Sequence, residues 1–131
     1  REKTMKKNII IGAVFGFLAV ALGAFGAHAL EDLLVKNGYE DVWETGVHYQ
    51  MFHAVAIMVI GVLMSKNIIG NVKSLRVAGT AMLIGTILFS GSLYVMALTK
   101  ITVLGAITPI GGVAFLVGWI AVVMSAKHIE E

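Results

Sequence analysis

The chain has 131 residues, 58% of them hydrophobic and 14% charged, with a net charge of +2 and a mean hydropathy of +0.89. That is one domain's worth of material, and far too apolar for an ordinary soluble domain. The absence of cysteine excludes disulfides, thiol catalysis and thiolate metal sites, and without a basic patch interleaved with aromatics, nucleic acid is not an expected partner.

In chain order, Arg1 to Thr4 precede a methionine, Met5, and are read as either an upstream extension or non-native residues, outside functional reasoning. The first long apolar run covers 9–30. It exceeds the h-region of a signal peptide, and "GAFGAHAL" is expected to continue in helix. The next segment, "LEDLLVKNG", sets Leu30, Leu33 and Leu34 on one face and stops at Gly38, which predicts a short interfacial helix. "YEDVWETG" begins the second helix, with Glu40, Asp41 and Glu44 near its positive end and Tyr39 and Trp43 at headgroup level. Apolar runs at about 45–65, 75–98 and 102–126 follow. All four runs approach or exceed the roughly 20 residues that cross a bilayer core. Only helices satisfy their own backbone in lipid at such lengths. The expectation is all-α: residues 1–131 form one integral membrane four-helix bundle.

Eight of the ten Lys and Arg residues lie at the amino terminus, in the 66–76 turn and at Lys127, while Glu31, Asp32, Glu40, Asp41 and Glu44 crowd the first loop. The positive-inside rule then predicts both termini in the cytoplasm and the acidic loop, with its interfacial helix, outside. The expected location is the cytoplasmic membrane, in multiple passes, with the lipid bilayer as first partner.

That orientation converts sequence position to depth. At about 1.5 Å per residue, His53 lies roughly 12 Å below the outer end of its helix, Ser90 and Ser92 roughly 9–12 Å and Thr108 about 9 Å. His28 sits within a turn of the outer end of helix one, and the inner halves read as Ile, Val, Leu, Met and Gly. Tyr49 and His53 share a face four residues apart, as do Glu44 and His48. His28, Tyr49, Gln50, His53, Ser90, Ser92 and Thr108 therefore form an expected polar layer or ligand site in the outer half. His53 is predicted to bond a polar residue of helix three or four, with Ser90, Ser92 and Thr108 the hydroxyls at matching height, and His48 to occupy the rim. Gly12 and Gly16, and Ala19, Gly23 and Ala27, are ladders of small residues for close helix packing, as are Ala114 and Gly118. Gly26, Gly91, Gly111 and Gly112 are expected to pack as well. Pro109 either kinks helix four or begins its regular part.

"GAFGAHAL", "WETGVHYQMFHAVAI", "LFSGSLYVMAL" and "ITPIGGVAFLVGW" together resemble the YgdD/YwdK-like family of small, uncharacterised bacterial inner-membrane proteins. The likeness covers about residues 9–120, with four motifs in order on four helices. It implies a four-helix membrane protein and no particular activity. The family's recurring residues fall here on Gly23, Phe25, Gly26, His28, Gly46, Tyr49, Gln50, His53, Ser90, Gly91, Ser92, Tyr94, Pro109, Gly111, Gly112 and Trp119.

Function classes separate on chemistry. Hydroxyls and amides commonly bond helices together, at about 0.6 kcal/mol each, whereas an ionisable residue within a membrane points to function. Two histidines without a carboxylate make a thin metal site, and a bis-histidine haem needs a large apolar slot. Ser90 or Ser92 with His53 imitates a nucleophile and base, yet no buried carboxylate orients the imidazole. The expected role is therefore a non-enzymatic helper or interaction component without cofactor or metal. Self-association or a partner membrane protein is expected, and the alternative is a small channel or transporter for protons, ions or a small solute.

Overall fold

The computed structural model describes residues 2–130, so Arg1 and Glu131, with their part in the expected extension and domain limits, lie outside the described residues. Five α-helices are present: α1 (Glu2–Ala27), α2 (Glu31–Asn37), α3 (Glu40–Leu63), α4 (Lys73–Thr99) and α5 (Thr108–Ser125). Short 3₁₀ turns at Thr102–Ala106 and Ala126–His128 flank α5. The four long segments, Thr4–Ala27, Glu40–Leu63, Lys73–Thr99 and Thr102–His128, are each long and apolar enough to cross a membrane. The expected all-helical bundle with four spans is what the chain forms.

Two details differ from expectation. Helix one ends at Ala27, because residues 28–30 turn before α2, so "GAFGAHAL" breaks where unbroken helix was predicted. The fourth span is not one α-helix over 102–126: its first residues wind as a 3₁₀ turn, and Pro109 occupies the first turn of α5. There its missing N–H leaves no bond unmade, so proline starts the helix and does not kink it. The second helix begins at Glu40, within "YEDVWETG" as expected and ahead of the apolar run.

Consecutive long helices run antiparallel, with α1 against α3, α3 against α4, and α4 against α5. One end of the bundle gathers α2 and the acidic first turn of α3; the other gathers Lys66, Lys73, Arg76 and Lys127. At the acidic end, Gly38 closes α2 at φ 75°, and its N–H reaches the carbonyls of Leu34 and Val35. That left-handed cap is a conformation glycine takes without penalty. The main core joins Ile57, Ile60, Met64, Leu75, Met82 and Phe115, and a smaller one at the acidic end joins Leu34, Trp43 and Ala97.

Close approach explains several glycines. A Cβ at Gly12 would stand 2.8 Å from the Ala54 carbonyl oxygen, and one at Gly26 would enter the Trp43 indole. At Gly23 it would meet Val47 at 3.3 Å, and at Gly16 it would only touch Ala54, at 4.0 Å. The Gly111 position presses on the Phe89 backbone and Gly118 on Met82. Gly112 reaches Phe89 at 4.0 Å, and nothing stands within 4 Å of Gly91, so these two do not set a close contact inside the bundle.

Candidate functional site

Polar side chains on the long helices act as bridges. Gln50, 4% exposed, is the hub: its Nε2 donates to the Phe15 carbonyl on α1 at 2.9 Å, and its Oε1 accepts from the Tyr94 hydroxyl on α4 at 2.6 Å. Trp43 Nε1 donates to the Leu22 carbonyl at 3.0 Å, with its ring 4.8 Å from that of Tyr94. Ser90 Oγ donates to the Gly46 carbonyl at 2.7 Å, tying α4 to α3. Ser92 and Thr108 hydroxyls meet at 2.6 Å, and Ser92 Oγ also lies 3.0 Å from the Phe89 carbonyl. With the single Ser92 proton on that carbonyl, Thr108 is the donor between the two hydroxyls. At the acidic end, Asn37 Nδ2 donates to the Ala97 carbonyl at 3.0 Å, tying α2 to α4.

His53 joins α3 to α5. Its Nδ1 lies 2.8 Å from the Tyr49 carbonyl one turn earlier, and Trp119 Nε1 donates to its Nε2 at 3.1 Å. An indole N–H only donates, so Nε2 is the acceptor and the proton resides on Nδ1. The arrangement fits the neutral ring, both of whose nitrogens are bonded. One face of the imidazole stacks on Phe115, with centroids 3.6 Å apart and planes 13° from parallel. Tyr49 stacks in turn on Phe89 at 4.3 Å. These rings wall a recess of about 690 Å³ between α3 and α5, lined by Tyr49, Phe52, His53, Phe89, Phe115 and Trp119. Phe52, Val113 and Leu116 stand exposed around it.

Of the expected layer, Gln50, His53, Ser90, Ser92 and Thr108 are thus interhelix bridges. Tyr49 contributes its ring to the recess, 43% exposed, and its carbonyl to His53. His28 lies exposed on the turn after α1 and is not brought to the others. His53 does bond a residue of the fourth span, but the partner is the Trp119 indole and not Ser90, Ser92 or Thr108. His48 is exposed near the acidic end, as expected.

Sequence reading missed two things. Trp43, assigned to the headgroup level, is 3% exposed beneath Gly26; the signal was that glycine, a notch large enough for an indole. Buried polar residues also stand outside the expected layer, Asn8 and Ser125 in the basic half and Thr86 midway along α4. Thr86 and Ser125 return their hydroxyls to carbonyls of their own helix, Met82 and Val122, a common way of carrying such residues through an apolar segment.

The chemistry open to this arrangement is narrow. Ser90 and Ser92 give their protons to main-chain carbonyls, so neither hydroxyl is directed at His53. Among the described residues, no three His, Asp or Glu side chains come together as a metal would require.

Residues 22–112 match the family described as "Protein of unknown function (DUF423)". The chain is 49% identical to the UPF0382 membrane protein YwdK of Bacillus subtilis over 122 residues, 93% of this chain and 97% of that protein. It is 46% identical to the UPF0382 membrane protein of Staphylococcus haemolyticus, covering 92% of this chain and 95% of the other. The identity is also 46% to the counterpart in Staphylococcus saprophyticus, covering 95% and 100%. No solved structure matches.

Proposed function

The chain belongs to the family of unknown function DUF423, the UPF0382 membrane proteins that include YwdK, and is a multi-pass membrane protein; from that premise we propose that it is a non-catalytic interaction component of the membrane. It is a four-helix scaffold, held by internal polar bonds, that presents the aromatic recess between α3 and α5 to another transmembrane helix, in the simplest case that of a second copy. One observation carries this: Gln50, His53, Ser90, Ser92, Tyr94 and Thr108 each bond across or along the helices. A channel needs polar groups free to hydrate a passing ion. A hydrolase needs a nucleophile aligned with a base. The polar layer of this bundle is engaged otherwise, and what faces outward is apolar and aromatic.

We further propose that both termini are cytoplasmic and that α2 rests on the outer surface. The gathering of Lys66, Lys73, Arg76 and Lys127 at one end and of Glu31, Asp32, Glu40 and Glu44 at the other supports this.

The test is site-specific photo-crosslinking in native membranes, with a photoreactive residue at Leu116 on the rim of the recess and, as control, at Val20 on α1, which is equally exposed. A discrete protein adduct from Leu116 and none from Val20 is expected. Lipid-sized adducts alone from Leu116, or equal protein capture from Val20, overturns the proposal.

A further inference from the structure

The basic end carries a feature independent of the recess. Between α4 and α5 a groove opens at Val72, Lys73 and Ser74, faces Lys127 and His128, and is walled by Val77, Ala121 and Met124. Its volume is about 540 Å³. A second hollow of about 550 Å³ shares Lys73 and Val77 with it and continues the α4–α5 seam past Ala81 and Ile84, opposite Ala114 and Val117. From Lys73 to Ile84 the seam extends about 16 Å along α4. It is cationic at its mouth and apolar along its length.

Three observations at the mouth converge on an anion. Lys73 at the start of α4 and Lys127 in the 3₁₀ turn after α5 line it, and Arg76, which lines the continuing hollow, is held there by bonds to the Asn71 carbonyl at 2.7 Å and side chain at 3.0 Å. The start of α4 has no side-chain cap and no acidic residue in its first turn, so α4 itself supplies no side chain to offset its positive end. The Ser74 hydroxyl, in the wall of the groove, is buried without a hydrogen-bond partner. An unsatisfied buried hydroxyl in a native structure calls for a partner such as a water or an ion.

We propose that the α4–α5 seam binds one anionic phospholipid, its phosphate at Lys73, Ser74 and Lys127 and one acyl chain lying along the groove toward Ile84. A soluble anion would use the mouth alone and leave the apolar length unexplained. A zwitterionic lipid would bring its own cation to a site already basic. Basic pockets between transmembrane helices favour anionic headgroups for this reason.

The experiment titrates purified full-length protein in nonionic detergent with phosphatidylglycerol, with phosphatidylcholine of the same acyl chains, and with inorganic phosphate. Native mass spectrometry counts retained molecules, and thermal unfolding reads stabilisation. One retained phosphatidylglycerol per chain is expected, with a rise in unfolding temperature that phosphatidylcholine does not reproduce. Lys73→Gln with Lys127→Gln should weaken it about 10- to 30-fold. The exposed pair Lys6→Gln with Lys66→Gln removes the same charge elsewhere and should leave affinity unchanged. Equal binding of both lipids, equal loss in both double variants, or equal stabilisation by inorganic phosphate overturns the proposal. If the first double variant does not fold, Ser74→Ala, expected to weaken binding several-fold, replaces it, and unchanged affinity there also overturns the proposal.

Discussion

Replacing Gly111 by alanine should loosen the α4–α5 contact, while the same change one residue later should not. A Cβ at Gly111 would stand 2.5 Å from the Phe89 backbone nitrogen and 2.9 Å from its Cα. Non-bonded heavy atoms settle at about 3.5–4.0 Å, so the helices must separate by about 1 Å. The obstacle is main chain within α4, which cannot turn aside as a side-chain tip can. Such overpacking costs about 1–3 kcal/mol. At Gly112 the new methyl would meet Phe89 Cδ2 at 4.0 Å, an ordinary contact. Both variants gain the same helix propensity, about 0.5–1 kcal/mol, so it cancels between them and the difference is the overpacking term. Gly111→Ala should thus be less stable than Gly112→Ala by about 1–3 kcal/mol, read as unfolding midpoints in detergent micelles. Separation would also stretch the Ser92–Thr108 bond and lift Phe115 from Gly85 on the same seam. Equal midpoints, or a more stable Gly111→Ala, would refute the close approach of α4 and α5.

Two side-chain predictions use the same unfolding assay. Gln50→Leu removes the bond to the Phe15 carbonyl and leaves the Tyr94 hydroxyl without its acceptor, for an expected loss of about 1–3 kcal/mol; wild-type stability would mean that the hub holds nothing. His53→Gln retains an acceptor for the Trp119 indole, whereas His53→Leu does not. The glutamine variant should be more stable than the leucine variant by about 1 kcal/mol, with the tryptophan emission shifted in the leucine variant alone, and the reverse order would show that packing on Phe115 outweighs the bond.

The four spans were legible because the bilayer imposes one requirement, a long apolar stretch, that composition shows directly. The ends were less so. Residues 28–30 hold neither glycine nor proline, so nothing local announced the turn after Ala27. The 3₁₀ turn at Thr102–Ala106 is as apolar as the helix it precedes, and Pro109 fits either a kink or a helix start. Height in the bundle was legible too, since rise per residue fixes it, and Ser90, Ser92 and Thr108 do lie within a layer of bonded polar groups. Facing was not. Which hydroxyl, indole or carbonyl meets His53 depends on the rotation of three helices about their axes, and no single chain position encodes that. The same holds for Trp43, whose burial needs the Gly26 notch of a different helix at the same level.

Proton and potassium flux in proteoliposomes tests most directly whether the polar layer holds helices together or carries solutes. Purified protein would be reconstituted at a known density, a pH or potassium gradient imposed, and its decay followed for wild type and Gln50→Leu beside protein-free vesicles. A scaffold whose polar groups are bonded to one another predicts decay equal to that of empty vesicles for both proteins. A protein-dependent flux in wild type, abolished in a folded Gln50→Leu variant, would contradict it and make the layer a conduction path.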